Sequence, residues 1–196
     1  MSLAPKTLLS IQDYLAGERL SEVRHEYVEG VVYAMAGTSI NHNQITANVL
    51  TELKTKLKGK NCRPFSSDLL VKTSASRYRY PDVTVICNEQ FLDDYSTESP
   101  TLIVEVLSNG TRKTDRQIKR LEYMQIPSLQ EYMLIEQDFV QVEVFRRSQA
   151  WQPSYYYWTD VVTLESLGVN LTVPDIYEQV NNAEVLQWLN SPNPTL

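Results

Sequence analysis

Two acids interrupt runs that otherwise read as buried strands. Asp82 follows Pro81 and opens Val83-Thr84-Val85-Ile86, and Glu105 sits inside Leu102-Ile103-Val104-Glu105-Val106-Leu107. β-branched runs suit a covered, pleated surface, so both acids stand where apolar side chains are expected. Thr101, Ile103 and Glu105 fall at period two, which puts Glu105 on the face of Ile103. An unpaired carboxylate there costs roughly several kcal/mol and calls for a cation or a strong donor. The following segment offers one. Ser108-Asn109-Gly110-Thr111 reads as a turn, and a helix is expected from about Lys113 to Gln125, stopped by Pro127. Asp115, Lys119 and Tyr123 recur every four residues on one face of that helix. Ile118, Leu121 and Met124 or Gln125 are expected to pack it onto the sheet. Two carboxylates can hold one or two Mg²⁺ ions with water, and an ammonium can compensate charge on an attacked phosphate. That is the chemistry of a metal-dependent phosphodiesterase.

The stretch from Arg79 to Tyr123 resembles the PD-(D/E)XK nuclease superfamily. More narrowly, it resembles the bacterial "putative restriction endonuclease" family of Uma-two type, a domain of unknown function. Pro81-Asp82 matches the first half of the superfamily pattern and Glu105-Val106-Leu107 the second, with Leu107 where the pattern has lysine. The narrower family usually has this Glu-Val-Leu-Ser form, and a lysine from the next helix, here Lys119, takes over. The resemblance covers about Ile11 to Arg147. It implies a Mg²⁺- (or Mn²⁺-) dependent endonuclease acting on DNA, leaving a 3′-hydroxyl and a 5′-phosphate. Asp82 and Glu105 would be catalytic metal ligands, completed by the carbonyl of Val106. Lys119 would orient water or stabilise the reacting phosphate, and Glu29, in a Glu-Gly pair, would be a further catalytic acid. His42, Asp115, Gln117 and Tyr123 would support these groups or contact phosphate. Asp68 matches a further family acid and is expected to bond a neighbouring turn.

These groups need elements to hold them. Ser10 to Leu15 begins a short helix, with Ser10 as N-cap. His25 to Met35 reads as two strands turning at Glu29-Gly30, or as one long bent strand. A helix from about Ile40 or Asn43 to Leu57 carries the stripe Ile45, Val49, Leu53, Leu57. Leu69-Leu70-Val71 reads as the first central strand, reached from Arg63 to Ser66, and residues 89–100 as a surface excursion. Glu131 to Ile135 and Val140 to Phe145 follow as strands, then an aromatic, edge-like strand from Trp151 to Trp158. Thr159 onward reads as a tail of short elements ending in a docking helix at Val185 to Leu189. Patterning gives an α/β or α+β chain. The resemblance refines it to a restriction endonuclease-like αβββαβ core, a mixed central sheet flanked by helices, with N-terminal and C-terminal β additions. One domain is expected over residues 1–196, with a core at about 11–147 and an extension at 148–196.

Composition is that of an ordinary globular chain, 42% hydrophobic and 21% charged. There is no apolar run long enough to span a bilayer, no Gly-rich phosphate loop, no zinc spacing and no internal repeat. The opening residues lack a signal peptide's core, so a cytoplasmic protein is expected. Cys62 and Cys87 lie on apolar or mixed segments and are expected as buried thiols rather than a disulfide. The net charge of −6 argues against nucleic acid until its distribution is examined: residues 54–120 hold 13 Lys and Arg against 8 Asp and Glu. Arg112, Lys113, Arg116 and Arg120, close behind Glu105, are the candidate DNA contacts. A cutter of both strands is expected to be a homodimer. No membrane partner and no small-molecule cofactor are expected. The competing reading is a catalytically inactive nucleic-acid-binding or assembly module on the same fold, with the acids in structural ion pairs.

Overall fold

The computed structural model describes residues 8–88 and 91–190. Helix α1 (Ile11–Glu18) is capped by Ser10, whose hydroxyl oxygen accepts the Asp13 N–H. Strands β1 (His25–Val28) and β2 (Val31–Ala34) form an antiparallel hairpin. It turns at Glu29 and Gly30, both at positive φ (51° and 89°), which settles the choice between two strands and one. Helix α2 (Ile40–Lys56) starts at Ser39, which accepts the His42 N–H, and fully buries Ile45, Val49 and Leu53.

The central sheet has six strands in the order β11-β10-β9-β8-β6-β3. Their ranges are β3 (Cys62–Ser66), β6 (Val83–Cys87), β8 (Leu102–Leu107), β9 (Glu131–Glu136), β10 (Val142–Arg146) and β11 (Pro153–Tyr156). Only β8 and β9 run parallel within it; the other neighbours are antiparallel. A parallel pair needs a crossover over one face. Residues 108–130 supply it, with a π-helical turn (Thr114–Lys119) running into α3 (Arg120–Tyr123).

A second sheet, ordered β2-β1-β5-β4-β7, adds β4 (Leu70–Ser74), β5 (Arg77–Arg79) and β7 (Ser96–Thr97). One face of the central sheet packs Val83, Val85, Val104 and Val106 with the α2 stripe. The other packs Ile103 and Leu107 with Tyr123, Leu129 and Tyr132. A third cluster joins Tyr14 of α1 to Tyr27, Tyr78 and Tyr80. The mixed α/β architecture is the one expected from the sequence.

Three expectations are corrected. The first strand of the central sheet is Cys62–Ser66, and Leu70–Ser74 belongs to the second sheet. Pro64 is accommodated because β3 is an edge strand, where a missing N–H leaves no ladder bond unmade. Cys62 and Cys87 form a disulfide, with an S–S distance of 1.99 Å. The antiparallel register of β3 on β6 sets them directly opposite, and no local pattern reveals a register between strands 25 residues apart.

Ile118 and Leu121 do not pack on the sheet; they are 54% and 60% exposed. The crossover helix instead buries Asp115, Lys119, Glu122 and Tyr123. The sheets beneath it present Glu105 and Arg79, and matching buried charge outweighs covering two aliphatic side chains. The C-terminal segment is the expected run of short elements, and it packs into the main core. Strands β12 (Val161–Leu164) and β13 (Val169–Thr172), with α4 (Val173–Ile176), fully bury Val162, Leu164, Leu171 and Ile176 in the main core. Helix α5 (Ala183–Leu189) closes the described chain and docks through Val185. Among the described residues no helix is long and apolar enough to cross a membrane.

Candidate active site

Strand β6 pairs with β8 so that Val83 faces Val104. Continuing that register by one residue sets Asp82 opposite Glu105, with both side chains on the face the crossover helix covers. Asp82 is fixed from two sides. Its Oδ2 accepts the Val106 N–H at 2.7 Å and lies 3.3 Å from Nε2 of His42, at the start of α2. Glu105 is buried, and its Oε1 accepts from Lys119 Nζ at 3.0 Å and from the Tyr123 hydroxyl at 2.8 Å. The helix face read from the sequence therefore forms as spaced: Asp115, Lys119 and Tyr123 all turn inward.

Lys119 is a hub. Besides Glu105, its Nζ lies 3.1 Å from Glu26 Oε1 and 3.3 Å from Asp115 Oδ1. Those two oxygens are buried and accept no hydrogen bond, so the ammonium's charge is what compensates them. The helix is locally π-wound here, with the Arg120 N–H bonded to the Asp115 carbonyl five residues back. Such π-turns often occur at functional sites. Behind the hub runs a second ionic layer. Arg79 donates to Glu26 Oε2 at 2.7 Å and grips Glu122 at both oxygens (3.1 and 2.8 Å), while Thr73 also bonds Glu122.

The electrostatics follow from burial and crowding. Burial lifts the Glu105 carboxyl well above its ordinary range; Lys119 opposes this, and the neighbouring acids Asp115, Asp82 and Glu26 reinforce it. Asp115 is raised, mainly by burial. Burial works against the charged form of Lys119, but Glu105, Glu26 and Asp115 more than reverse it and hold the ammonium charged. His42 behaves similarly: burial lowers its pKa, and the hydrogen bond and charge of Asp82 carry it above 6.5.

These groups line the floor of a cavity of about 540 Å³ that also touches Tyr33, Ser39, Ser108, Thr111 and Gln137. Asp82, Glu105, Val106, Lys119, Asp115 and His42, all singled out in the sequence, meet there, and Tyr123 holds Glu105 from behind.

Glu29 does not. It is exposed in the β1–β2 turn and bonds Arg77 at 3.1 Å, and the acid that reaches the site is Glu26. No local pattern signals this, because Glu26 alternates with the buried Tyr27 and its partners Arg79 and Lys119 come from distant elements. Gln117 is exposed outside the cavity. The candidate DNA-binding arginines are largely engaged elsewhere. Arg112 grips Glu136 and Asp138, Arg116 pairs with Glu136 and Glu143, and Arg120 lies 5.0 Å over the Phe145 ring. Lys113 is exposed. Asp68 pairs with Arg24 at 3.3 Å, away from the site.

Among the described residues no three His, Cys, Asp or Glu side chains are grouped to hold a metal ion. Two carboxylates and a backbone carbonyl are nevertheless hard oxygen donors. Mg²⁺ takes few protein ligands of this kind and fills the rest of its shell with water and phosphate.

Comparison with known proteins places these residues in a family. Residues 11–176 match the family model Uma2, described as "Putative restriction endonuclease". The match runs past Arg147 and takes in the β12–β13 hairpin. Two uncharacterised proteins of Synechocystis sp. are each 34% identical to this chain. One, slr1290, aligns over 180 residues (89% of this chain, 94% of that protein), and the other, sll1609, over 151 residues (75% and 85%). Among solved structures, a "putative nuclease belonging to DUF820" from Anabaena variabilis shares the fold. Its TM-score is 0.74 at 18% identity, covering 88% of this chain and 99% of that one.

Proposed function

The chain belongs to the Uma2 family of putative restriction endonucleases, and from that premise we propose that it is a Mg²⁺-dependent endonuclease hydrolysing phosphodiester bonds in DNA. The observation that carries this reading is the meeting of Asp82, Glu105 and Lys119 on the floor of one cavity. Asp82, Glu105 and the Val106 carbonyl are the groups that would hold Mg²⁺ (or Mn²⁺). When bound, such an ion supplies Lewis-acid polarisation of the phosphate and lowers the pKa of water.

The chain's own residues do the rest. The Val106 N–H and His42 fix one oxygen of Asp82, and Tyr123 and Lys119 fix one oxygen of Glu105. Lys119 presents a permanently charged ammonium to the negative charge that develops on the reacting phosphate. Glu26 and Asp115 hold that ammonium in place, and Arg79 holds Glu26. Position 107 is a leucine, fully buried in the core, so the ammonium would come from the helix lysine, Lys119. In-line attack would leave a 3′-hydroxyl and a 5′-phosphate. The compartment we propose is the cytoplasm, on the ground of the DNA substrate proposed.

The test is nicking of supercoiled plasmid in Mg²⁺ and in Mn²⁺, with wild type beside Asp82→Ala and Glu105→Ala. Nicking by wild type alone, all three proteins being equally folded by circular dichroism, supports the assignment. Equal nicking by all three would exclude these acids, and none by wild type would favour a binding or assembly module.

A further inference from the structure

The cavity over Asp82 and Glu105 is unlike a surface that tracks a duplex. Its volume, about 540 Å³, falls in the range of pockets that enclose one small ligand. Asp82, Glu105 and Lys119 lie buried at its floor. A surface that tracks a duplex neutralises many phosphates with Lys and Arg, whereas a pocket for one nucleotide meets one phosphate; among the described lining residues Lys119 is the only Lys or Arg, beside the acids Glu26, Asp82, Glu105 and Asp115. The rim is instead small and hydroxylic, with Gly37, Thr38 and Ser39 on one side and Ser108, Gly110 and Thr111 on the other. Arg112 and Arg116 do not make up the deficit, because their guanidinium groups are paired with Glu136, Asp138 and Glu143.

One large ring stands at this rim. Tyr33 lies on β2, the edge strand of the second sheet, directly opposite Glu26, and it lines the same cavity while 52% exposed. An exposed tyrosine needs no explanation by itself. Here it sits across one strand pair from the acid that touches Lys119. Aromatic rings beside a backbone path are how single strands are held, because every base has a face to stack.

We propose that the site takes single-stranded DNA, one nucleotide descending to the buried acids with its base stacked on Tyr33, rather than an intact duplex. In a duplex each base is paired and stacked and is not free to follow its phosphate into a pocket; an unpaired strand is not so restrained. The inference rests on the nuclease reading for its chemistry and adds the substrate class. A single-strand cutter needs no second copy of the chain.

The experiment has a binding arm and a cutting arm. Fluorescence anisotropy with a labelled 30-nucleotide strand and its blunt duplex, in Ca²⁺ in place of Mg²⁺ to hold back cleavage, reads strand preference without catalysis. The single strand should bind at least tenfold tighter. Its salt slope should be near −0.7, about one phosphate contact. In Mg²⁺ the same strand should be cut and the duplex interior spared. Tyr33→Ala should raise KM for the strand roughly tenfold, the effect of losing one stacked base, with kcat within about twofold, and Tyr33→Phe should restore it. Equal binding or cutting of duplex and strand, or an unchanged KM in Tyr33→Ala, would overturn the strand preference and leave the nuclease standing. Strand-selective binding without cutting by any metal would do the reverse. Binding of neither DNA would overturn both.

Discussion

Arg79 is the residue whose removal should reveal most about how the site is held. It is buried, and its guanidinium makes three hydrogen bonds to two carboxylates: 2.7 Å to Glu26 and 3.1 and 2.8 Å to Glu122. Arg79→Met keeps the stem and deletes the charge. Breaking a buried pair by removing one partner costs about 3–5 kcal/mol. The lower end applies here, because Lys119 still faces Glu26 and Arg77 Nη1 still lies 3.4 Å from Glu122.

At a few degrees per kcal/mol for a chain of this size, about 3 kcal/mol lowers Tm by roughly 6–12 °C. Urea unfolding followed by circular dichroism should show an earlier midpoint at unchanged slope. Removing the partner as well, in Arg79→Met with Glu122→Met, should return at least half of the loss.

The pH profile adds a sign. Burial alone would raise the Glu122 carboxyl, but the hydrogen bond and charge of Arg79 take it below 4.5. A depressed carboxyl pKa stabilises the fold above the unfolded value and loses that contribution as pH falls through the folded one. Wild type should therefore lose more stability than Arg79→Met between about pH 5 and pH 3. An unfolding free energy within about 1 kcal/mol of wild type, or parallel pH profiles, would refute the claim that this ionic layer supports the site.

Three further outcomes follow from the same geometry. Lys119→Gln should slow cleavage by about 10²–10³, the scale of losing one transition-state donor, while leaving Mn²⁺ affinity equal or tighter, since the ammonium now competes for Glu105; paired single-turnover and binding measurements separate the two effects. Reducing the Cys62–Cys87 disulfide, which spans 25 residues, should cost about 3.5 kcal/mol by the loop-entropy estimate, visible as a lower Tm in reductant and as no free thiols in the unfolded, unreduced protein. Glu105 and Asp115 are raised by burial, so their stabilising effect is present at low pH and lost as pH rises through their folded pKa values. A divalent ion replaces the lost protons, so the rise in Tm on adding Mn²⁺ should grow from pH 5 to pH 8.

How much of this was readable in the chain depends on how local each signal is. Asp82 and Glu105 were legible because one opens and the other interrupts a β-branched run where apolar side chains are expected. The Asp115-Lys119-Tyr123 face was legible because helical spacing is a matter of four residues. The α2 stripe was legible for the same reason. Glu26 was not, because its partners Arg79 and Lys119 come from distant elements and only strand pairing brings them together. The same holds for the disulfide, which a cross-strand register decides. Ile118 and Leu121 misled because apolar spacing assumes an apolar surface opposite, and this helix lies over Glu105 and Arg79. The basic cluster misled in a related way: charge counted along the sequence does not show that Arg112 and Arg116 are already paired with acids of β9, β10 and the turn between them.

The central claim is that Asp82 and Glu105 together hold a divalent cation, and Mn²⁺ calorimetry tests it most directly. At pH 7.5 wild type should show saturable Mn²⁺ binding, and Asp82→Asn and Glu105→Gln, which keep side-chain size, should each lose it while remaining folded. Undiminished Mn²⁺ binding in both variants, or none in wild type, would contradict the account.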